Sequence, residues 1–433
     1  MNEEHRALSG EIEITDQLLS EVSGQVVSAK DLGPMLEGAL GKDTTHAVSV
    51  LLASALALKA SDVHVEPEEK QVQIRLRVDG MLHDAATLSL ESFRPMLSRI
   101  KLLSGLKLNV ADRPQDGRFS INEATSPIEV RISSLPSEHG ESLVMRVLDP
   151  KSLRKLPELG LRKDLLALFE SEIKRPNGMV LVTGPTGSGK TTTLYAFLRT
   201  ILAPEIKIIT IEDPIEYHLE GISQTQVNPT KGYDFASGLK AIVRQDPDVI
   251  LVGEMRDEET VDIALQAALT GHLVFSTLHT NDAAGAISRL ISLGATAANI
   301  APALNLVIAQ RLVRTLCTSC GEPGKITAQE LTLIERDLSS LPKEIAQKVS
   351  ATTTLKRPKG CKVCGDTGYK GRQGIFEAIA VTQEVQELIL ASGSIPAVRK
   401  KAIEQGMVTM RQDGFLKALE GITTLEEVVR VAG

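Results

Sequence analysis

A glycine-rich turn between an apolar run and a helix-like segment constrains the fold of this chain most. The turn follows Met179–Val182, precedes a helical pattern from Thr192 to Ile201, and consists of Gly184, Pro185, Thr186, Gly187, Ser188, Gly189, Lys190 and Thr191. Strand, glycine-rich turn and helix are the context in which this pattern predicts a phosphate-binding loop. A turn of the same composition that binds nothing is the alternative, but the flanking strand and helix argue against it.

Each residue type in the turn has a chemical reason. Glycines allow backbone N–H groups to face phosphate oxygens, and the following helix directs its positive end at the same anion. We therefore expect residues 184–192, including Thr192, to bind the phosphates of a nucleotide. Lys190 is predicted to reach the outer phosphates, and Thr191 to offer its hydroxyl to Mg²⁺.

Acidic residues follow two further predicted strands in the same part of the chain. Strand patterns alternate with helical patterns and cover Met179–Thr183, Ile206–Ile211, Val249–Val252 and Leu273–Leu278. This alternation predicts a parallel, doubly wound α/β sheet, in which ligands lie beyond the carboxyl ends of the strands. Glu212 and Glu216 follow the second strand and Glu254 follows the third, whereas Asp248 precedes its strand.

This placement assigns chemical roles to the acids. We expect Glu254 to act beside the magnesium ion, through a water molecule, and Glu216 or Glu212 to orient and deprotonate the attacking water. His272 and His279 flank the fourth strand. Either backbone groups satisfy both histidines, or His279 lies near the outermost phosphate.

The composition of the chain argues against some classes of binding partner. The 433 residues suffice for two to four domains, and the formal net charge is −7. With no Trp, 4 Tyr and 8 Phe, the chain has few aromatic platforms for bases. The N-terminus lacks a signal-peptide core, and the longest near-apolar run, Ala47–Leu58, is too short to span a bilayer. We expect a cytoplasmic protein with no nucleic-acid partner.

A compact α+β domain is predicted for residues 44–149. Alternating apolar residues over Val72–Val78 predict a half-buried strand, and Asp79-Gly80 predicts a hairpin. A helix fits residues 92–106, and short strands fit Arg118–Ile121, Ile128–Ile132 and Leu143–Leu148. Residues 1–43 are weakly patterned and fit a mobile tail or a short docking helix. Residues 150–160 contain two prolines and predict a linker.

The four cysteines form two pairs, which indicates a metal site. They are Cys317, Cys320, Cys361 and Cys364, two Cys-x-x-Cys knuckles with 40 residues between them. Two such knuckles in a cytosolic protein suit tetrahedral zinc, whereas a redox dithiol needs only one pair and disulfides are rare in a reducing compartment. We expect a structural zinc site, with a helical excursion near Thr327–Leu341 between its halves.

Four motifs together resemble the secretion ATPase superfamily of the GspE/PilB kind. They are GPTGSGKTTTLY (184–195), IEDPIEY (211–217), RQDPDVILVGEMRD (244–257) and TGHLVFSTLHTNDA (270–283). The resemblance covers about residues 44–433. Members of that superfamily are hexameric motors of type II secretion and type IV pilus assembly, so the resemblance implies ATP, Mg²⁺ and a homo-oligomer.

The resemblance also implies roles for individual residues. The loop at 184–191 is similar to Walker A, Glu254 to the Walker B glutamate, and residues 212–216 to an acidic box with Glu216 as catalytic base. Residues 271–279 are similar to the histidine box that ends at His279. Arginines of the smaller domain, Arg118 and Arg131, are expected to act as fingers on bound nucleotide, although each could equally be a solvated surface residue. Arg256, Arg311 and Arg314 are candidate cations inside the core.

The resemblance further implies partners and location. Assembly motors carry the four-cysteine insert, which retraction motors generally lack, so it favours export and extension. We expect an inner-membrane platform protein and the cytoplasmic domain of a membrane anchor protein as partners, at the periphery of the inner membrane. Longer members have a separate N-terminal docking domain, which 43 residues are too few to form.

The expected domain organisation follows from these patterns together with the resemblance, which implies the ATPase core. It comprises a tail or docking segment (1–43), the α+β domain (44–149), a linker (150–160), a RecA-like P-loop ATPase core (161–316), a zinc-binding insert (317–380) and a C-terminal helical subdomain (381–433). Two other function classes remain open. One is a nucleic-acid translocase on the same kind of core, and the other is a nucleotide-gated scaffold that binds ATP without hydrolysing it.

Overall fold

The computed structural model describes residues 10–122, 127–341, 345, 349–391 and 394–433. The chain divides into two compact units. The first contains the residues up to Ser152 together with Cys317–Gly321 and Pro358–Gly371. The second contains Leu153–Leu316, Glu322–Arg357 and Arg372–Gly433. Among the described residues, no helix is both long enough and apolar enough to cross a membrane.

The first unit is built on a seven-stranded sheet in the order β1-β5-β6-β7-β2-β3-β4. All neighbouring strands are antiparallel except β1 and β5. The strands are β1 (Glu11–Glu13), β2 (Asp62–Pro67), β3 (Val72–Val78), β4 (Met81–Leu88), β5 (Gln115–Asn122), β6 (Ile128–Ser137) and β7 (Gly140–Leu148). The helices are α1 (Asp16–Gln25), α2 (Leu32–Leu40), α3 (Thr44–Ala57) and α4 (Leu90–Leu103).

The described part of the N-terminal segment is folded into this unit. Strand β1 pairs with β5, and the Thr15 hydroxyl accepts a hydrogen bond from Leu18 N at 3.2 Å, which caps α1. Val22 and Leu32 are fully buried in the core. The expectation of a mobile tail is therefore wrong for residues 10–43, because non-local packing supplies the stability that their weak pattern lacks. Residues 1–9 of that segment lie outside the described residues.

A buried ion pair joins α4 to the hairpin between β6 and β7. Lys101 Nζ lies 2.7 and 2.9 Å from the two carboxylate oxygens of Glu141 and donates to Val110 O at 2.7 Å. The Ser134 hydroxyl donates to the same carboxylate at 2.9 Å. The Lys101 side chain is 2% exposed and that of Glu141 is 8% exposed. Neither charged group is accessible to water, so each is stabilised by the opposite charge of its partner.

We expect Glu141→Gln to lower the free energy of unfolding by about 3–5 kcal/mol, since it leaves a buried ammonium without its anion. Denaturant unfolding of the variant and the wild type would measure the difference. Glu66→Gln is the matched control, because its pair with Arg75 is 34% exposed on both sides and should contribute at most about 1 kcal/mol. Equal losses in both variants would contradict the prediction.

The second unit is built on a seven-stranded sheet in the order β10-β9-β11-β12-β8-β13-β16. The pairs from β10 through β13 are parallel, which confirms the predicted α/β class. The strands are β8 (Gly178–Thr183), β9 (Ile208–Glu212), β10 (Ser223–Gln226), β11 (Val249–Val252), β12 (Leu273–Leu278), β13 (Leu304–Leu316) and β16 (Tyr369–Ala380). A separate antiparallel pair joins β14 (Glu322–Lys325) to β15 (Thr354–Arg357).

Helices cover this sheet and complete the unit. They are α5 (Lys163–Glu172), α6 (Lys190–Ile201), α7 (Phe235–Val243), α8 (Glu258–Leu269), α9 (Ala283–Ser292), α10 (Ala297–Ala303), α11 (Ala328–Leu338), α12 (Gln383–Leu390), α13 (Ile395–Glu404), α14 (Met410–Leu419) and α15 (Leu425–Ala432). The four predicted strands are present, whereas β10, β13 and β16 were not predicted. Strand β13 is fully apolar over Val307–Ala309, and such a run does not distinguish a buried strand from a buried helix.

The segment predicted as one zinc-binding insert, residues 317–380, does not form one compact body. The two cysteine segments group with the first unit, where Gly371 N donates to the Asp79 carboxylate at 2.7 Å. The residues between them belong to the second unit. There α11 contacts α14, because Arg411 pairs with Asp337 at 2.8 Å and Gln412 Nε2 donates to Asp337 O at 2.8 Å.

Candidate nucleotide site and four-cysteine cluster

The glycine-rich turn leads from the end of β8 to the start of α6, as predicted. Gly184 has φ +150°, and a Cβ there would lie 2.5 Å from Gln310 O, so this position requires glycine. The Thr183 hydroxyl lies 2.7 Å from the Thr280 hydroxyl, just beyond the neighbouring strand β12. Pro185, Thr186 and Gly187 form the exposed tip of the turn.

Lys190 lies among the backbone carbonyls of the turn. Its ammonium donates to Gly184 O at 2.8 Å and to Pro185 O at 3.2 Å. Burial lowers the pKa of Lys190, and the carboxylates of Glu254 and Glu216 act in the opposite direction. The three charged groups are therefore close enough to interact. Loop N–H groups, a lysine and a helix N-terminus are the donors that a polyphosphate requires.

The ends of β11 and β12 bring Glu254 and His279 together. His279 Nε2 lies 3.8 Å from a carboxylate oxygen of Glu254, whose other oxygen accepts a hydrogen bond from Arg256. Burial and then the Lys190 ammonium lower the pKa of His279, although Glu254 opposes them. The lowered pKa favours the neutral imidazole at pH 7, which has one N–H donor and one acceptor nitrogen. An open cavity of about 440 Å³ beside this group is lined by Glu254, Met255, Arg256, Leu278, His279 and Arg289.

The two acids that sequence reasoning left open have different environments. Glu212 is 4% exposed and accepts hydrogen bonds from the Tyr195 hydroxyl, from Thr210 Oγ1 at 2.6 Å and from Gln224 Nε2 at 3.2 Å. Burial and then the Glu212 charge raise the pKa of the Tyr195 hydroxyl. Three donors therefore hold the Glu212 carboxylate in one orientation. Glu216 is half-buried and belongs to the charged group around Lys190.

Three other candidates in the second unit hydrogen-bond to nearby protein groups. His272 Nδ1 lies 3.0 Å from Ala267 O, at the opposite end of β12 from His279, so a backbone carbonyl satisfies it. Arg311 donates to Val431 O at 2.7 Å. Arg314 donates to the buried Glu427 carboxylate at 2.8 and 3.1 Å. Both arginines thus hydrogen-bond to the C-terminal helix α15.

Three arginines occupy one row across the sheet of the first unit. Arg118 on β5 lies opposite Arg131 on β6, which lies opposite Arg146 on β7. Arg131 pairs with Glu129 at 2.8 Å, and Arg146 pairs with Asp62 at 3.0 Å. Like charges directly opposite each other destabilise a sheet, and the carboxylates of Glu129 and Asp62 offset that repulsion for two of the three arginines. Arg146 was not predicted, although its position between buried Met145 and Val147 indicates that it faces outward.

The four cysteine thiols lie within 4.8 Å of one another. Sulfur separations are 3.9 Å for Cys317–Cys361 and 3.8 Å for both Cys320–Cys364 and Cys361–Cys364. A tetrahedral site with Zn–S bonds of about 2.3 Å has edges of about 3.8 Å, so this cluster is compatible with zinc.

Backbone N–H groups favour one thiolate in the cluster. Burial alone would raise the pKa of Cys364, but hydrogen bonds from Cys361 N and Gly368 N, each 3.2 Å long, help to lower it to about 7. N–H groups that donate to sulfur are the outer contacts that a metal-bound thiolate needs.

Comparison with known proteins places these features in a family. The profile of the family described as "Type II/IV secretion system protein" matches residues 42–430. The chain is 43% identical to "Type II secretion system protein E" of Pseudomonas aeruginosa over 95% of this chain and 80% of that one. It is 43% identical to "Type IV pilus assembly ATPase PilB" of Thermus thermophilus over 88% of this chain but only 42% of that one.

Two solved structures are similar in fold to this chain. The pilus retraction motor PilT with bound ADP has a TM-score of 0.57 and 27% identity, and the match covers 88% of this chain and 95% of that one. The Legionella pneumophila ATPase DotB has a TM-score of 0.64 at 22% identity over 88% of this chain and 94% of that one, and it supports the fold alone. This chain therefore belongs to the Type II/IV secretion system protein family, the ATP-hydrolysing motors of protein secretion and pilus assembly.

Proposed function

We propose that this protein is a hexameric, Mg²⁺-dependent ATPase that adds pilin or pseudopilin subunits to a filament. Its second unit would be the RecA-like core, and its strand order, with β8 between β12 and β13, supports that assignment. One observation carries the proposal most directly. Lys190 of the phosphate loop lies within electrostatic reach of both Glu254 and Glu216.

Each group has a role in that reaction. The N–H groups of residues 184–192 and the Lys190 ammonium would bind the phosphates, and the Thr191 hydroxyl with Glu254 would hold Mg²⁺. The metal would neutralise charge on the phosphates. Glu216 would take the proton of the attacking water. His279, neutral at pH 7 beside Glu254, would contact the outermost phosphate and report whether it is still present.

A phosphate-release assay tests this proposal against the two other function classes. Mg²⁺-dependent phosphate release by the purified protein would support a motor, and binding of ATP without release would support a nucleotide-gated scaffold. Turnover that rises on addition of single- or double-stranded DNA would support a nucleic-acid translocase instead. The charge of −7 and the scarcity of aromatic residues favour turnover that DNA does not change.

We also propose how the protein is located and assembled. It would work at the inner membrane, as a peripheral protein on the cytoplasmic side, with a platform protein and the cytoplasmic domain of a membrane anchor protein as partners. Relatives named as a type II secretion system protein and a type IV pilus assembly ATPase support a role in a machine of this kind. The four-cysteine cluster supports extension rather than retraction. Light scattering of the nucleotide-bound protein would test the hexamer, and co-purification with the platform protein would test that partner.

The cysteine cluster is proposed to be a structural zinc site. Four thiols with separations close to those of a tetrahedral ZnS₄ centre support it, as do the N–H groups that donate to Cys364 Sγ. Four cysteine ligands leave no open coordination position, so the ion would not take part in catalysis.

We expect about one zinc ion per chain in protein purified without chelators. Cys364→Ser should release the ion and loosen the segments 317–321 and 358–371, because metal binding is part of their folding energy. Elemental analysis measures the metal, and hydrogen exchange measures the loosening. The phosphate loop should keep its protection in the variant, which provides an internal control. Absence of zinc from freshly prepared wild-type protein would overturn the assignment.

A further inference from the structure

Gln310 lies directly beside the phosphate loop, although no motif includes it. The register of β13 and β8 pairs Ala309 with Thr183, so the next residue on β13 lies next to Gly184, the first residue of the loop. Gln310 is 1% exposed. Its backbone oxygen would lie 2.5 Å from a Cβ at Gly184, and its amide nitrogen 3.0 Å from a Cβ at Gly189. Both glycines therefore leave room for this one residue.

The side-chain amide of Gln310 makes two hydrogen bonds with different elements. Its Nε2 donates to Ser188 O at 2.7 Å, within the loop. Its Oε1 accepts a hydrogen bond from Thr193 Oγ1 at 2.7 Å, on the first turns of α6. Thr193 is 1% exposed. The amide oxygen is thus occupied by the Thr193 hydroxyl, and the amide nitrogen meets the Ser188 carbonyl.

The bond to Ser188 O determines the direction of the following N–H group. The C=O and N–H of a trans peptide point in opposite directions, so a Ser188 carbonyl held towards Gln310 turns the Gly189 N–H away from it. Gly189 is the N-cap of α6, with φ +88°. Its N–H is therefore one of the donors that a phosphate at this helix N-terminus would use.

We propose that Gln310 is a positioning residue for nucleotide binding, which holds the Ser188–Gly189 peptide in the orientation that presents its N–H to the phosphates. The proposal rests on the nucleotide-binding function above. Without the amide, the Ser188 carbonyl loses its buried donor, and the peptide is free to turn the carbonyl oxygen towards the anion. Gln310 acts through Ser188 and Gly189 and does not itself contact the nucleotide.

Two nearly isosteric variants separate positioning from stability. Q310E keeps an acceptor for Thr193 Oγ1 but replaces the donor to Ser188 O with a second acceptor. Thr193→Val is the matched control, since it removes the other hydrogen bond of the same amide and leaves the Ser188 bond intact. Binding is measured by titration with a fluorescent ADP analogue in the presence of Mg²⁺, and stability by thermal unfolding without nucleotide.

We expect Q310E to weaken ADP-analogue binding at least about tenfold and Thr193→Val to stay within about threefold of wild type, although both lower the unfolding temperature. The deficit of Q310E relative to wild type should shrink as the pH falls. Burial raises the pKa of the introduced carboxyl, and its protonated form regains an O–H donor. Wild-type binding by Q310E at a pH high enough to ionise the introduced carboxyl, or losses in both variants that follow their losses of stability, would overturn the proposal.

If Q310E fails to fold, Q310M tests the proposal instead. Methionine is similar in length to glutamine, is uncharged and has no N–H donor. We expect the same loss of binding, and wild-type affinity in Q310M would overturn the proposal. Wild-type protein and Lys190→Ala are measured alongside. Failure of the wild type to bind the ADP analogue would contradict the proposed function itself, whereas tight binding by both wild type and the Gln310 variants contradicts only this inference.

Discussion

Glu216→Gln should bind Mg-ATP with nearly wild-type affinity while its turnover falls at least about a hundredfold. The amide keeps the size and polarity of the side chain but does not accept the proton of the attacking water. Glu216 is half-buried and within electrostatic reach of Lys190, so its carboxylate belongs to the charged group at the phosphate loop. Equilibrium binding of an ATP analogue and steady-state phosphate release measure the two quantities separately.

Two further variants distinguish a loss of catalysis from a loss of nucleotide binding or of stability. Lys190→Ala should weaken nucleotide binding itself, because the ammonium provides the positive charge for the outer phosphates. Glu212→Gln should instead lower the melting temperature, because that carboxylate accepts three hydrogen bonds in a buried site. Near-normal hydrolysis by Glu216→Gln would show that another group is the base.

Arg118→Ala and Arg131→Ala should each leave folding and ATP binding largely intact but lower turnover about a hundredfold or more. Phosphoryl transfer needs cationic stabilisation beyond the loop lysine as charge moves on the transferred group. These arginines lie opposite each other on β5 and β6 of the first unit, in one row with Arg146. Circular dichroism, nucleotide binding and phosphate release provide the three readouts.

Mixing experiments test whether the arginines act within a subunit or across a ring interface. If they act across subunits, mixing Arg131→Ala protein with Glu216→Gln protein should restore some activity, because some hybrid interfaces then have both functional groups. Arg77→Ala is a useful control, since Arg77 is on the same sheet and pairs with Asp62 at 3.3 Å. Wild-type turnover in both finger variants would show that the first unit does not complete the active site.

Local sequence patterns were sufficient to predict those parts of the site that are formed by short, contiguous segments. The strand, turn and helix around Gly184–Thr191 are contiguous, so their spacing alone indicates a phosphate loop. Glu254 and His279 follow apolar strands directly, and the parallel arrangement of β11 and β12 brings their carboxyl ends to one edge. The cysteine spacing likewise indicated a four-sulfur cluster, because each Cys-x-x-Cys knuckle lies within four consecutive residues. Only the approach of the two knuckles to each other depends on the tertiary structure.

Other features depend on residues far apart in the chain. The environment that distinguishes Glu212 from Glu216 depends on Tyr195 and Gln224, which donate to Glu212 from two separate elements. The arginine row needs the register of β5, β6 and β7, and a shift by one residue would move each arginine to the other face. The ordered packing of residues 10–43 required the sheet and helices that bury their apolar side chains.

The sequence by itself therefore determined the class of the core, the phosphate loop and the acids beyond its strands, since hydrophobic periodicity and glycine positions act within a few residues. Only the tertiary structure decided which buried side chains support that loop. Gln310 is 120 residues from Lys190 along the chain, and its role becomes visible only when β13 pairs with β8. A buried amide carries no periodic signal, because its partners are fixed by strand register and packing rather than by neighbours in sequence.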